Sequence, residues 1–160
     1  MVVRPDVIRA RLKKLREMLA ELKKIHSRGS AAYYDDPILQ LAAERALQVA
    51  LQCILDIGNH MIVELGLPLP KRNDEILETL GKANLIPREL VVRLKGLGGL
   101  RNILVHDYLS LDQQVLYEEH LQQLDDLRDF MKSIAAYLKN LPEQNPAKRK
   151  SRKSKRKKRS

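Results

Sequence analysis

The chain has few of the residues that build disulfides, metal centres or aromatic cores. Its 160 residues include one cysteine, no tryptophan, one phenylalanine and five tyrosines. The single cysteine, Cys53, excludes an internal disulfide and a multi-cysteine metal site, and its place in an apolar run predicts a small core residue. With so few aromatics, Leu, Ile, Val and Ala must build the core, which is typical of helical bundles.

Long uninterrupted apolar runs are also missing. The longest are broken by Gln52, Asp56 and His60, so we expect no segment that crosses a membrane. The N-terminal stretch is charged and periodic, unlike the apolar core of a secretory leader. Both observations predict a cytoplasmic protein without membrane contact.

Acidic residues are absent from the last part of the chain. The formal net charge is +10, yet ten of the 30 Lys and Arg residues lie between residues 148 and 159, so the remaining 20 equal the 20 Asp and Glu residues. We therefore predict a neutral folded domain over residues 1–146 and a disordered tail over residues 147–160. The tail could bind polyanions such as RNA or ribosomes through its charge, or only keep the protein soluble. The basic residues of the tail are Lys148, Arg149, Lys150, Arg152, Lys153, Lys155, Arg156, Lys157, Lys158 and Arg159.

Apolar residues that recur every three or four positions predict an all-α fold, an up-and-down bundle of four main helices and one short helix. Asp36 followed by Pro37 is a strong start signal for the second helix. Gly98 and Gly99 are expected either to bend the fourth helix or to let another backbone approach closely. The predicted helices cover about residues 6–27, 37–65, 74–83, a segment that opens at Pro87, and 112–141, and a loop containing Tyr33 and Tyr34 separates the first two.

Residues 101–108 read RNILVHDY and carry most of the chemistry that the sequence offers. Arg101 suits a phosphate because its planar fork of donors matches phosphate oxygens and stays charged. His106 suits proton transfer because an unperturbed imidazole has a pKa of about 6.5. Together they could bind a phosphodiester and move a proton on or off a ribose hydroxyl. The alternative is a surface arginine beside a hydrogen-bonded histidine.

The same octapeptide closes a helical segment and precedes a second amphipathic helix, and in this arrangement it resembles the R-x4-H-x-Y signature of the HEPN superfamily. The closest match is the HepT group, the toxin half of HepT–MntA toxin–antitoxin pairs. The resemblance covers roughly residues 6–140 and also includes the Asp36-Pro37 helix start and the ERALQ run that begins at Glu44. It implies a HEPN-type helical bundle and a toxin ribonuclease that needs no metal and no cofactor.

The resemblance also implies roles for the motif residues. The ribose 2′-hydroxyl would attack the neighbouring phosphate and leave a 2′,3′-cyclic phosphate and a 5′-hydroxyl. His106 would handle a proton, Arg101 would stabilise charge on the phosphate oxygens, and Asn102 would orient His106 or the phosphate. Tyr108 would be the residue to which an MntA-like nucleotidyltransferase antitoxin adds AMP, blocking RNA by bulk and negative charge. Without the resemblance, Tyr108 would simply pack at a helix end.

Helix geometry restricts how these residues can meet. Five residues separate Arg101 from His106, which places them about 140° apart around an ideal helix. Either the helix ends or distorts within the motif, or a second subunit completes the site. A symmetric dimer would bring two arginines and two histidines together, and HEPN nucleases are similar to this picture.

Two further groups of charged residues lie on the predicted second helix. Asp56, His60 and Glu64 recur every four residues and share a stripe. They could form a metal site or a second acid–base group, although a polar seam paired with arginines is favoured. Chains of the HepT type carry similar residues facing the cleft, so Asp56 and His60 are cleft candidates. Glu44 and Arg45 are expected to have structural partners.

Two other functions remain open at this stage. The chain could be a non-catalytic helical subunit that partners a nucleotidyltransferase. It could also be a dimer that binds nucleic acid through its tail alone.

Overall fold

The computed structural model describes residues 3–142, and within them it contains only helices and turns, with no strand. The predicted all-α fold is therefore confirmed. The predicted basic tail lies outside the described residues. The elements are α1 (Pro5–Ser27), α2 (Ser30–Asp35), α3 (Pro37–Glu64), α4 (Asp74–Lys82), α5 (Arg88–Arg93), α6 (Leu97–His106), a 3-10 turn (Tyr108–Ser110), α7 (Gln113–Val115), a π-turn (Leu116–His120) and α8 (Leu124–Lys139).

The core forms where α3 packs against α1, α6 and α4. Helix α3 has the most buried side chains of any element, as its apolar circumference predicts. Cys53 is buried there as a small core residue. Helix α1 contributes one apolar stripe at the expected spacing, whose members are Ile8, Leu12, Leu15, Leu19, Leu22 and Ile25.

The start of α3 follows its sequence signal. The Asp36 carboxylate accepts hydrogen bonds from the backbone N–H groups of Ile38 at 3.0 Å and Leu39 at 3.2 Å. These two bonds satisfy donors that the first turn of a helix leaves free. The preceding segment was predicted as a loop, and this was wrong. It forms the short helix α2, whose Tyr33 side chain is fully buried.

The predicted fourth helix is divided in two, which corrects the sequence-based expectation. Gly96 adopts a φ of +87° between α5 and α6, a conformation that glycine tolerates best. Gly98 has the second role foreseen for it, because a Cβ there would lie 3.1 Å from the Asn73 Cβ and the Asp74 backbone nitrogen. The break and the close approach together set the direction in which α6 leaves the core.

The predicted fifth helix is also interrupted. Its start is capped by Asp112, whose carboxylate accepts from the Gln114 and Val115 backbone N–H groups. A π-turn then places Leu116 and Tyr117 in the core. A short turn leads into α8, which packs on α1 and α5. One extra residue in a turn rotates the following helix relative to the preceding one.

Helix α3 is also the one described helix whose length and hydropathy would allow it to cross a membrane. Most of its apolar window, 61%, is buried inside the bundle. That burial is what the central helix of a bundle requires.

Candidate active site

Helix α6 carries the RNILVHDY motif to the protein surface. The helix runs without a break from Leu97 to His106 and ends there. Tyr108 follows in the 3-10 turn with 67% of its surface exposed, and Leu109 beside it is 88% exposed. The apolar residues between the polar ones are only partly buried. The motif is therefore an exposed face with no covering element among residues 3–142.

Arg101 is held by two amide oxygens. Its Nε donates a hydrogen bond to Gln52 Oε1 at 2.8 Å, across the contact between α6 and α3. Its Nη1 donates to Asn102 Oδ1 at 3.2 Å. A guanidinium has five N–H donors, so three remain for a ligand. The two hydrogen bonds fix the direction of the side chain. Because both acceptors are neutral, they do not compensate its positive charge.

The Gln52 amide is bound on its other side as well. Gln52 Nε2 donates to Asp56 Oδ1 at 2.7 Å, and Asp56 Oδ2 lies 3.8 Å from Arg11 Nε on α1. A chain of contacts thus runs from α6 through α3 to α1. Gln52 appeared in the sequence only as an interruption of an apolar run. The available signal was its position four residues before Asp56, on the same side of α3.

A second arginine shows the ordinary structural arrangement. Arg93 in α5 donates to Asp126 at 2.8 Å and to Asp129 at 3.0 Å, both on α8. The hydrogen bond to Asp129 is the main cause that raises the pKa of the Arg93 guanidinium. Arg101, in contrast, makes no ion pair with any residue between positions 3 and 142.

His106 and Asn102 do not contact each other. The Asn102 oxygen is engaged by Arg101, and exposed His106 has no hydrogen bond within the described part of the chain. Because α6 is regular between Arg101 and His106, their side chains keep the angular separation of about 140°. The helix by itself therefore does not bring the two groups to one point within a single protomer.

The stripe on α3 has one member that pairs with an arginine among the described residues. Asp56 pairs with Arg11 as the interpretation as a polar seam requires, whereas His60 Nε2 is buried without a hydrogen-bond partner in the described chain. Residues 3–142 contain no group of three His, Cys, Asp or Glu side chains placed to hold a metal ion. Asp56 is thus tied to the motif through Gln52, and His60 is not.

Glu44 has the structural partner that was expected of a charge at this place. It accepts a hydrogen bond from the Gln113 side chain, and Gln113 in turn accepts from the Tyr33 hydroxyl at 2.5 Å. Burial is the main cause that raises the Tyr33 pKa. Arg45 differs from the expectation, because it is exposed and has no ion pair among the described residues.

A cavity of about 200 Å³ lies beside α6 without reaching the motif. It is bordered by Arg93, Gly96, Leu100, His120 and Asp126, among others. None of Arg101, Asn102, His106 and Tyr108 lines it. The chemistry that the motif can offer is instead surface chemistry, suited to an extended polyanion: one free guanidinium face, one exposed imidazole and one exposed phenol.

Comparison with known proteins identifies the same motif-bearing region. The family profile of the ribonuclease HepT-like proteins matches residues 15–134. The chain is 30% identical over 143 residues to the tRNA nuclease HepT of Aphanizomenon flos-aquae, covering 89% of this chain and 97% of the relative. It is 28% identical over 131 residues to the mRNA nuclease HepT of Shewanella oneidensis, covering 82% and 98%.

Solved structures share the fold. YutE of Bacillus subtilis, described as a cytosolic protein of unknown function, has a TM-score of 0.74 and 29% identity, over 85% of this chain and 91% of YutE. The tri-AMPylated HEPN toxin of Shewanella oneidensis, solved in complex with its MNT antitoxin, has a TM-score of 0.71 and 28% identity, over 82% and 98%. With the profile matching most of the chain, the protein belongs to the ribonuclease HepT-like family, and the family and enzyme class predicted from RNILVHDY are confirmed.

Proposed function

We propose that this chain is a toxin endoribonuclease that cleaves RNA by attack of a ribose 2′-hydroxyl, with Arg101 and His106 as catalytic residues. The observation that carries the proposal is the Arg101 guanidinium, which makes no ion pair with residues 3–142 and is oriented at the surface by Gln52 and Asn102. In the transition state of the transfer from the 5′-oxygen to the 2′-oxygen, the phosphate oxygens gain negative charge. A fixed cation stabilises that charge. Membership of the ribonuclease HepT-like family supports the assignment.

The reaction needs one proton removed and one delivered. His106 takes the proton from the 2′-hydroxyl, and the 2′-oxygen forms a new bond to phosphorus. The bond from phosphorus to the 5′-oxygen breaks, and that oxygen receives a proton from a second imidazole or from water. The products are a 2′,3′-cyclic phosphate and a 5′-hydroxyl. The role of Asn102 that its hydrogen bond supports is to orient Arg101, because Asn102 Oδ1 accepts from the Arg101 guanidinium.

A homodimer would supply the second set of groups. Within one protomer Arg101 and His106 leave the regular helix α6 about 140° apart, which favours contributions from two chains to one phosphate. A two-fold axis next to α6 would place two arginines and two histidines in one cleft. The exposed side chains of Tyr108, the last residue of the motif, and of Leu109, directly after it, support a contact surface there.

A nucleotidyltransferase antitoxin is the proposed partner, and Tyr108 the proposed site of its AMP transfer. The Shewanella oneidensis toxin is tri-AMPylated in its complex with the MNT antitoxin. The exposed Tyr108 phenol supports the same chemistry here. Added phosphates beside Arg101 would occupy the cation and repel RNA.

Two further parts of the proposal concern regions that the motif does not include. The tail residues from Lys148 to Arg159 would add affinity for RNA that falls steeply with salt. The place of action would be the cytoplasm, where RNA is available, as the description of YutE as cytosolic supports.

The decisive experiment is incubation of the purified protein with total RNA in EDTA, beside a His106→Ala variant. We expect the parent alone to generate new 5′-hydroxyl ends, which polynucleotide kinase labels, together with 2′,3′-cyclic phosphate ends. Intact-mass measurement first establishes that Tyr108 carries no AMP. Equal cleavage by both proteins, or none by the unmodified parent, would contradict the proposal, and the second result would favour a non-catalytic partner subunit.

Deleting residues 147–160 distinguishes the contribution of the motif from that of the tail to RNA binding and cleavage. We expect the shortened protein to bind RNA more weakly while keeping its cleavage products. A loss of all RNA binding together with an absence of cleavage in both forms would favour a dimer that only binds nucleic acid.

A further inference from the structure

We propose that Gln52 is a positioning residue for Arg101, and that Asp56 and Arg11 fix the orientation of Gln52. This inference rests on the proposed function, because it assigns how the catalytic arginine is aimed. The contacts that carry it are the 2.8 Å bond from Arg101 to Gln52 and the 2.7 Å bond from Gln52 to Asp56. No residue of this set other than Arg101 lies within the RNILVHDY motif.

The orientation of the Gln52 amide is decisive, because its two ends have opposite chemistry. The oxygen accepts a hydrogen bond and the NH2 group donates one. Arg101 can only donate, so it requires the oxygen. The Asp56 carboxylate accepts, so it requires the NH2 group. With Asp56 on one side, the amide presents its oxygen to Arg101, and a flipped amide would lose both bonds.

Arg11 completes the set from a third helix. Its Nε lies 3.8 Å from Asp56 Oδ2, the carboxylate oxygen that Gln52 does not use. Both side chains are about 40% exposed, so the ion pair itself adds little stability. Its contribution is geometric, since a cation on one oxygen favours the rotamer that turns the other oxygen toward Gln52.

A neutral acceptor suits this place better than a carboxylate would. Gln52 is part-buried on the central helix α3, and its amide is hydrogen-bonded on both sides, so the position of its oxygen is restricted. It binds the Nε edge of Arg101 and leaves the Nη2 donors free. The guanidinium is therefore oriented without a carboxylate that would compensate its charge, and the charge stays available to a phosphate.

The test is a Gln52→Leu variant, which nearly keeps the side-chain volume and removes both hydrogen bonds of the Gln52 amide. The readout is the single-turnover rate at which new 5′-hydroxyl ends appear in total RNA. Gln48→Leu is the matched control, because Gln48 lies one turn earlier on α3, is also part-buried and makes no side-chain hydrogen bond among the described residues. We expect a rate loss of roughly tenfold to a hundredfold for Gln52→Leu and less than about twofold for the control.

A second measurement separates positioning from general support of the fold. Gln52→Leu is repeated in an Arg101→Lys background, where no guanidinium remains to be aimed. We expect less than about a twofold further loss, since residues that act through one another are not additive. Equal losses in the two backgrounds would overturn the inference and assign Gln52 a merely structural role, and so would an unchanged rate in the parent background.

The conservative change at Asp56 completes the set. Asp56→Asn can still accept from Gln52, although it no longer forces one orientation, so we expect a loss smaller than that of Gln52→Leu. A loss of cleavage rate in Asp56→Asn larger than that in Gln52→Leu would contradict the proposal that Asp56 acts through Gln52. If Arg101→Lys and Arg101→Ala cleave as fast as the parent, the proposed function itself fails. If they are impaired while Gln52→Leu is not, only the positioning role of Gln52 fails.

Discussion

Arg93 and Arg101 lie on consecutive helices and are held in opposite ways. Arg93 is bound by the carboxylates of Asp126 and Asp129 on α8. Arg101 is bound by the amide oxygens of Gln52 and Asn102. Two carboxylates neutralise a cation and join two helices. Two amides fix its direction and leave its charge available to a ligand.

The difference shows how one residue type is held in two ways in a small bundle. Residue identity does not separate the two arginines, and neither is buried: Arg93 is exposed and Arg101 is part-buried, each on a short helix. The chemistry of their acceptors separates them. An arginine whose charge no carboxylate compensates is ready to bind a phosphate, and among the described residues Arg101 has no ion pair and lies in the RNILVHDY motif.

The largest difference is expected when each arginine is changed to lysine. Lysine keeps the charge but has no Nε edge and no planar fork. We expect Arg101→Lys to lower the rate of RNA cleavage by about a hundredfold, because neither Gln52 nor the phosphate is bound in the same geometry. Arg93→Lys should cleave at the parental rate. Similar rates for the two variants would remove the distinction between the sites.

Making Arg101 resemble Arg93 should also inactivate the protein. Gln52→Glu places a carboxylate on the Arg101 Nε, so the contact becomes an ion pair. We expect a fall in cleavage of roughly tenfold or more, because the cation is then compensated before RNA arrives. Gln48→Glu adds the same charge one turn away and controls for general repulsion of RNA. Cleavage that is unchanged in Gln52→Glu would show that the neutrality of the acceptor is unimportant.

Removing Arg93 should affect stability and leave activity alone. Arg93→Ala leaves Asp126, only 19% exposed, without its cation. We expect the midpoint of thermal unfolding to fall by a few degrees, since a partly desolvated carboxylate loses its partner. Cleavage below the unfolding range should match the parent. A matching midpoint together with reduced cleavage would indicate that Arg93 contacts RNA.

The smallest expected effect is a pH dependence in the structural region around Arg93. His120 borders the same cavity as Arg93, and burial, partly opposed by Glu119, lowers its pKa below the ordinary value of 6.5. Between the lowered pKa and 6.5 the unfolded chain binds more protons, so the free energy of unfolding decreases as the pH falls through this window. His120→Gln should flatten this part of the profile, measured by denaturant unfolding from pH 7.5 to 5. An unchanged slope would exclude His120 as its source.

The sequence predicts the long helices well because their signals are local. The Asp36 cap and the stripe from Ile8 to Ile25 depend on residues only a few positions apart, and the structure reproduces both. Helix α2 was missed since six residues show no period, and the burial of Tyr33 depends on Gln113, 80 residues away. The π-turn was also missed because it depends on distant contacts: the tertiary packing of Leu116 and Tyr117 favours it.

The candidate site divides in the same manner. Arg101, Asn102, His106 and Tyr108 are recognisable because their spacing is itself the pattern. Gln52 could not be assigned, since its contact with Arg101 spans 49 residues and a lone glutamine in an apolar run has many explanations. The direction in which His106 points follows from helix geometry, whereas the partner surface that would complete the site depends on a second chain.

The central claim is that RNA cleavage requires the Arg101 guanidinium, which no carboxylate among residues 3–142 compensates, and one comparison tests it most directly. Parent protein, Arg101→Ala and Arg93→Ala are incubated with total RNA in EDTA at one temperature below unfolding, and new 5′-hydroxyl ends are counted over time. We predict that Arg93→Ala matches the parent and that Arg101→Ala loses cleavage by at least about a hundredfold, while remaining folded. Cleavage by Arg101→Ala at the parental rate would contradict the account.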